Sequence, residues 1–235
     1  MVKHSSSIEL SQSALKANVN FLRKKIGPGP RISSVVKANA YGHGIDPFVK
    51  MAEKCGIDHF SVASAFEAEE VLKVCSPNSS VMIMGILYDE DIPWAIENKI
   101  EFYVFNFDRL ELVCAVARKL QIKAEIHLEV ETGANRTGMH ESELSKALSY
   151  MKKNIDFINF KGFCTHFGGA ETLANQFKID QQHLRFKQML GLVRKKGLKP
   201  DYRHIASSAA SLAYPETLYD LVRVGVAQYG FWPSP

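Results

Sequence analysis

The sequence lacks the marks of several protein classes. No stretch of its 235 residues approaches the roughly 20 apolar residues of a membrane-spanning helix. The opening MVKHSSS holds no apolar run, so it does not read as a secretory signal. Four cysteines occur, Cys55, Cys75, Cys114 and Cys164, and none stands at CxxC or other metal-ligand spacing. They read as free thiols in a reducing cytoplasm, with no metal site. The net charge is only +4. The densest basic runs, Arg23-Lys24-Lys25 and Arg194-Lys195-Lys196, fall near predicted helix ends, where cations suit the helix dipole. No basic face of the kind nucleic acid needs is left over, although a small anionic ligand is compatible with the charge. Fixed-period repeats, low-complexity tracts and linkers are absent.

What is present is an alternation of two patterns. Short apolar or β-branched runs at 32–36, 59–63, 81–84, 101–105, 124–130, 160–166, 202–206 and 221–224 read as eight strands. Helical spacing fills the gaps: Leu15, Val19, Leu22 and Ile26 share one face, as do Ile45, Phe48, Val49, Ala52 and Cys55. Asp46 and Pro47 read as the N-cap and first turn of the second of these helices. Ser64 and Glu67 read as a capping box opening a third, and 171–196 reads as one long helix ended by Gly197. Parallel neighbours need crossovers, so eight such steps in a chain this long predict a closed (β/α)₈ TIM barrel, with an open doubly wound sheet as the alternative. The chain stops soon after the eighth strand, so one barrel wall is expected to lack its covering helix.

Barrel enzymes carry their chemistry at the carboxyl ends of the strands. Those positions hold VVKANAYGHG at 35–44, ETGANRTG at 131–138, THFGG at 165–169, HIASSAA at 204–210 and VRVG at 222–225. A lysine at the end of a buried strand is partly desolvated, which favours the neutral amine that attacks carbonyls; Lys37 equally reads as a lysine snorkelling at a strand end. Ser208 reads as the start of a short helix and Gly225 as a point of close backbone approach, a phosphate site of the kind barrels build after strands seven and eight. A plain N-cap and a turn glycine are the competing readings. Together, opposite Lys37, they fit a phosphorylated aldehyde.

These blocks, with Tyr229 and Gly230, resemble the alanine racemases, in the family's order and over nearly the whole chain. The resemblance implies a pyridoxal 5'-phosphate (PLP) cofactor held as a Schiff base on Lys37, which would also be one of two catalytic acid/bases interconverting L- and D-alanine. Tyr41, Ser208 and the backbone of Gly225 and Val226 would hold the phosphate, with Ser207 where the family usually has asparagine. His166 would pack near the ring, a filler histidine being the alternative. Arg136 would hydrogen-bond the ring hydroxyl and orient the substrate. Arg223 would face the pyridine nitrogen; a charged arginine can only donate, which leaves that nitrogen unprotonated and favours return of the proton to Cα. A rim salt bridge is its alternative reading.

Three departures follow from the same resemblance. Glu129 stands where many members carry a carbamylated lysine, and is expected to supply that anion to Arg136. Ala134 replaces a common methionine and would widen the substrate side. The family's second, mostly β domain, which brings a tyrosine acid/base across a head-to-tail homodimer, is expected to be missing. Residues 1–10 then read as a strand without its partner and 11–235 as the PLP barrel, a fragment of low or no turnover. A non-catalytic PLP module, a PLP decarboxylase of the same fold and a cofactor-free Schiff-base aldolase are the competing functions. Arg223 argues against the decarboxylase, which wants an acidic partner at the ring nitrogen.

Overall fold

The computed structural model of the chain describes residues 6–233. Eight strands form one sheet: β1 Arg31–Val35, β2 His59–Val62, β3 Ser80–Ile83, β4 Glu101–Val104, β5 Ala124–Glu129, β6 Ile158–Cys164, β7 Tyr202–His204 and β8 Leu221–Val224. Neighbours pair in parallel in the order β7-β6-β5-β4-β3-β2-β1-β8. At the remaining seam, the N–H of Asp220 donates to Arg203 O and that of Arg223 to Ala206 O, both at 3.0 Å. The Arg203 side chain grips Asp220 there through Nε at 2.7 Å and Nη2 at 2.8 Å. The sheet therefore closes into the expected barrel rather than the open alternative.

Crossovers are helical because each gap carries an apolar stripe. The main ones are α3 Ile45–Lys54, α4 Ala65–Leu72, α6 Phe107–Leu120, α7 Glu141–Lys153 and α8 Gln176–Lys195. The wall expected to be bare is covered. Helix α1, Gln12–Ile26, buries Leu15, Val19, Leu22 and Ile26 and lies against the 3₁₀ turn Val226–Tyr229 that follows β8. The helix that precedes β1 thus does the work of one that would follow β8, which a reading of strand-then-helix order does not anticipate.

Other local expectations shift. Helix α3 is capped by Gly44, not Asp46, and its first N–H is taken by Asn39 Oδ1 at 2.9 Å. The long helix begins at Gln176 after a 3₁₀ turn, Leu173–Asn175. Of segment 1–10, residues 1–5 lie outside the described residues; 6–10 form no ladder, and Ile8 is exposed.

The interior of the barrel is chemically unlike its outer shell. Outward residues such as Phe60, Phe102, Ile126 and Leu128 join the continuous apolar core beneath the helices. Inward positions carry Ser33, His59, Glu101, His127, His204 and Arg223, all buried; only Met82, Tyr103 and Cys164 form a small apolar cluster of their own.

Candidate active site

Lys37 does not sit on strand β1, which ends at Val35. It opens α2, Lys37–Tyr41, where Ala38, Asn39, Ala40 and Tyr41 all have φ between 51 and 54°. Four successive L-residues in a left-handed turn cost about 1–2 kcal/mol each, so the turn needs outside support. Glu67 supplies it: one carboxylate oxygen accepts the N–H of Ala38 at 2.6 Å and the other that of Ala63 at 2.8 Å. The box at Ser64 is therefore half as expected. Ser64 Oγ accepts from the N–H of Glu67, but Glu67 reaches past the cap to the lysine turn. Behind the turn, Gln228 Nε2 and Tyr229 Oη both donate to Val35 O at 3.0 Å, and Tyr229 stacks on His43 and Phe48. The turn carries Lys37 out to solvent; the lysine is exposed, not desolvated at a strand end.

A cavity of about 880 Å³ opens at the carboxyl ends of the strands. Lys37, Tyr41, Arg136, His166, Ser207, Ser208, Arg223, Gly225 and Val226 all line it, so nine of the ten site residues expected from sequence converge. Ala134 is the exception: it is outside the lining and backs onto Gly168.

The serine roles are exchanged relative to the simple cap reading. Ser207 is the N-cap of α9, Ser208–Ala213, and its hydroxyl accepts from Ala210 N. Ser208 instead takes the N–H of Gly225 at 2.9 Å, which leaves its own proton free to donate into the cavity. A Cβ on Gly225 would lie 2.7 Å from Tyr41 Oη. Glycine at this point is what brings Tyr41, Ser208 and the backbone after β8 into one small cup.

Arg223 is buried on the floor of the cavity. Nη1 donates to Tyr103 Oη at 2.5 Å and faces His204 Nδ1 at 3.4 Å; Nη2 donates to Thr165 O at 2.9 Å and Ile205 O at 3.1 Å. Four of its five N–H groups are thus engaged, and Nε–H alone has no partner among the described residues. This is not the rim salt bridge of the alternative reading, because Arg223 is buried and meets no carboxylate directly among the described residues. Beside it, burial and then the charges of Arg223, Arg136 and Lys37 push the His166 imidazole down to about 3. His166 is neutral at physiological pH.

Glu129 is buried in the wall, and burial pushes its carboxyl up against a hydrogen bond from Thr137. It forms no direct ion pair with Arg136 among the described residues, and Arg136 is exposed. The charge of Arg136 nonetheless acts on the Glu129 carboxyl, so the expected anion stands near Arg136 without a direct ion pair. Sequence reading also missed Tyr103, Glu67 and the buried set Glu101, His127 and His59. The signal was available in the strands, where Glu101 and Tyr103, and His127 and Glu129, alternate at period two with apolar residues.

This geometry has counterparts. The chain is 33% identical over 226 residues to the alanine racemase of Desulforamulus reducens, covering 96% of this chain and 60% of that protein. It is 30% identical to the alanine racemase of Methanococcus maripaludis over 234 residues, covering 100% of this chain and 62% of that protein. The solved alanine racemase of Streptomyces coelicolor A3(2) superposes with a TM-score of 0.88 at 31% identity, over 95% of this chain and 60% of that one. The enzyme from D-cycloserine-producing Streptomyces lavendulae superposes at 0.89 with 32% identity, over 95% of this chain and 58% of its own. The chain therefore spans about 60% of the length of these relatives. The sequence model described as "Alanine racemase, N-terminal domain" matches residues 10–233, and the chain belongs to that family.

Proposed function

We propose that the cavity binds PLP and that the protein acts as an alanine racemase. The observation that carries this reading is the pairing, in the lining of one cavity, of Lys37 with Arg223, whose Nε–H alone has no partner among the described residues. The residues present fit the cofactor: an amine for its aldehyde, a hydroxyl cup around Gly225 for its phosphate, and a permanent donor for its ring nitrogen. When bound, PLP supplies the aldehyde and electron sink that acidify Cα of an amino acid.

The chain's own groups then divide the work. Tyr41 Oη, Ser208 Oγ and the N–H of Val226 bind the phosphate. Lys37 Nζ would anchor the aldehyde and would hold or return the proton on its own face of Cα. Arg223 would face the ring nitrogen as a donor and could not pass a proton to it, since guanidinium stays charged; it would thereby weaken the electron sink and favour return of the proton to Cα over transamination or decarboxylation. Arg136 orients the ring hydroxyl and the substrate. Ile86, Phe105 and Trp232 add apolar surface to the cavity lining.

The proton group for the opposite face belongs, in this reading, to the part of the relatives that the chain does not span, supplied across a homodimer. Alanine as substrate, cytoplasmic placement and supply of D-alanine for the cell wall are parts of the same proposal. Among the described residues no helix is long and apolar enough to cross a membrane.

The test is direct. The chain is incubated with PLP, reduced with borohydride and mapped by peptide mass. A pyridoxyl group on Lys37 is expected; no adduct, or an adduct elsewhere, overturns the assignment. Racemisation of D- and L-alanine is then expected to be slow for this chain alone, and to be lost in Lys37→Ala.

A further inference from the structure

Arg223 is a buried cation without a direct carboxylate partner, an arrangement that costs several kcal/mol unless the charge is balanced. The nearby carboxyl of Glu129 supplies part of the balance, and a second, hydrogen-bonded route to a carboxylate runs deeper into the barrel. Arginine only donates, so the ring nitrogen of His204 that faces it, Nδ1, must carry a lone pair. The His204 proton is then on Nε2, which lies 2.8 Å from His127 Nδ1. That nitrogen must accept in turn, which puts the His127 proton on Nε2, at 2.7 Å from Glu101 Oε2. His59 approaches the same oxygen through Nε2 at 3.3 Å, while its Nδ1 takes the Ser33 hydroxyl at 2.8 Å.

Starting from the one group whose role is fixed, every hydrogen in the chain is assigned, and every donor points toward Glu101. The members sit on β8, β7, β5, β4 and β2, so the chain crosses the barrel interior. All three imidazoles have zero exposure and Glu101 has 4%.

The barrel is shaped for this path. A Cβ on Gly162 would lie 1.9 Å from His127 Nδ1, so only glycine leaves room for that ring to reach His204. The ladder between β5 and β6 shifts register between Ile126 and His127, beside the same contact.

We propose that Glu101 is a positioning residue for Arg223: through two neutral histidines of fixed tautomer, it holds His204 as an acceptor behind the guanidinium and so keeps Nε–H turned to the cavity. The value of that outward N–H rests on the PLP reading; the tautomer assignment does not. The charge pattern agrees. Burial opposes charge on Glu101, but hydrogen bonds from His127 and His59 outweigh it and hold the carboxyl well below the usual carboxylate range. Burial, with the charge of Arg223 adding to it, holds His204 well below the ordinary histidine range. Glu129, the buried carboxyl nearest in charge to Arg223, acts on it through space and forms no hydrogen bond with the chain among the described residues.

The experiment is long-range ¹H–¹⁵N correlation NMR of the full chain with ¹⁵N-histidine, with and without PLP. His127 and His204 are each expected as the neutral Nε2–H form at pH 7. A doubly protonated His204, or one protonated at Nδ1, overturns the proposal from the wild-type spectrum alone. Glu101→Met removes the acceptor. His127 Nδ1 is then expected to move from the pyridine-type to the pyrrole-type region, with His204 following it. Glu101→Gln keeps a carbonyl oxygen in place and is expected to restore the wild-type tautomers. A purely space-filling role for Glu101 predicts unchanged tautomers in both variants and would sink the idea. If Glu101→Met does not fold, the wild-type and Glu101→Gln spectra still decide it, because a flipped pair in either contradicts the chain. Absence of a PLP adduct on Lys37 alongside the expected tautomers removes the cofactor reading and leaves the buried chain standing.

Discussion

Gly225→Ala should weaken PLP binding by displacing one hydroxyl. The added Cβ would lie 2.7 Å from Tyr41 Oη and 3.4 Å from its Cζ. Ordinary contact begins near 3.4 Å, so the hydroxyl must retreat by about 0.7 Å, the difference between the two separations. A hydrogen bond of normal length stretched that far is no longer one. Hydrogen bonds to charged groups contribute about 1.5–3 kcal/mol, which corresponds to roughly 10- to 150-fold in Kd. Tyr41→Phe deletes the same hydroxyl without moving the backbone, so it should cost a similar amount. If both variants act through that one hydroxyl, their effects must not add. The double variant should bind PLP about as weakly as either single one, a coupling as large as the single effect. Kd is read by fluorescence quenching as PLP is titrated into the apo chain, with the apo Tm of each variant as a control. Additive losses would show that Gly225 and Tyr41 serve the phosphate separately, and would refute the steric account of the cup.

Three further outcomes are expected. Stability should fall as pH drops below about 6.5: His166 and His204 are held neutral in the folded barrel and take up protons when unfolded, so unfolding binds protons. For two such histidines the loss between pH 7.5 and 5.5 is roughly 3 kcal/mol, read by urea titration; a flat profile over that window would contradict the buried neutral imidazoles. Glu67→Ala strands the N–H groups of Ala38 and Ala63, and should lower stability by about 2–4 kcal/mol, together with slower borohydride trapping at Lys37; trapping at the wild-type rate would show that the turn holds itself. Arg203→Ala removes the grip on Asp220 at the seam between β7 and β8, and should cost about 1–2 kcal/mol, visible as faster hydrogen exchange at the N–H groups of Asp220 and Arg223.

The eight strands, the helical crossovers and the rim residues were legible in the sequence because each rests on local rules. Hydrophobic period marks the element, and a parallel barrel places whatever follows a strand at one end. That is enough to bring Lys37, Arg136, His166, Ser208 and Arg223 to one mouth. It does not say which atom of each residue is engaged. The exchange of roles between Ser207 and Ser208 turns on a single hydrogen bond to Gly225, made by a strand that follows in the chain.

Tertiary structure decided the rest, because the rest depends on contacts between distant segments. Helix α1 covers the wall after β8 since closure makes the first and last strands neighbours. The left-handed turn at Ala38 stands because Glu67, on another crossover, takes its first N–H. Ala134 lies against Gly168, outside the cavity lining, a neighbour no strand-end rule supplies. Most of all, the path from Arg223 to Glu101 exists only once the barrel closes and β2, β4, β5, β7 and β8 turn their polar residues onto one axis. The sequence by itself determined that Arg223 can only donate; the closed barrel decided which four of its hydrogens are spent on the protein and which one is left for the cavity.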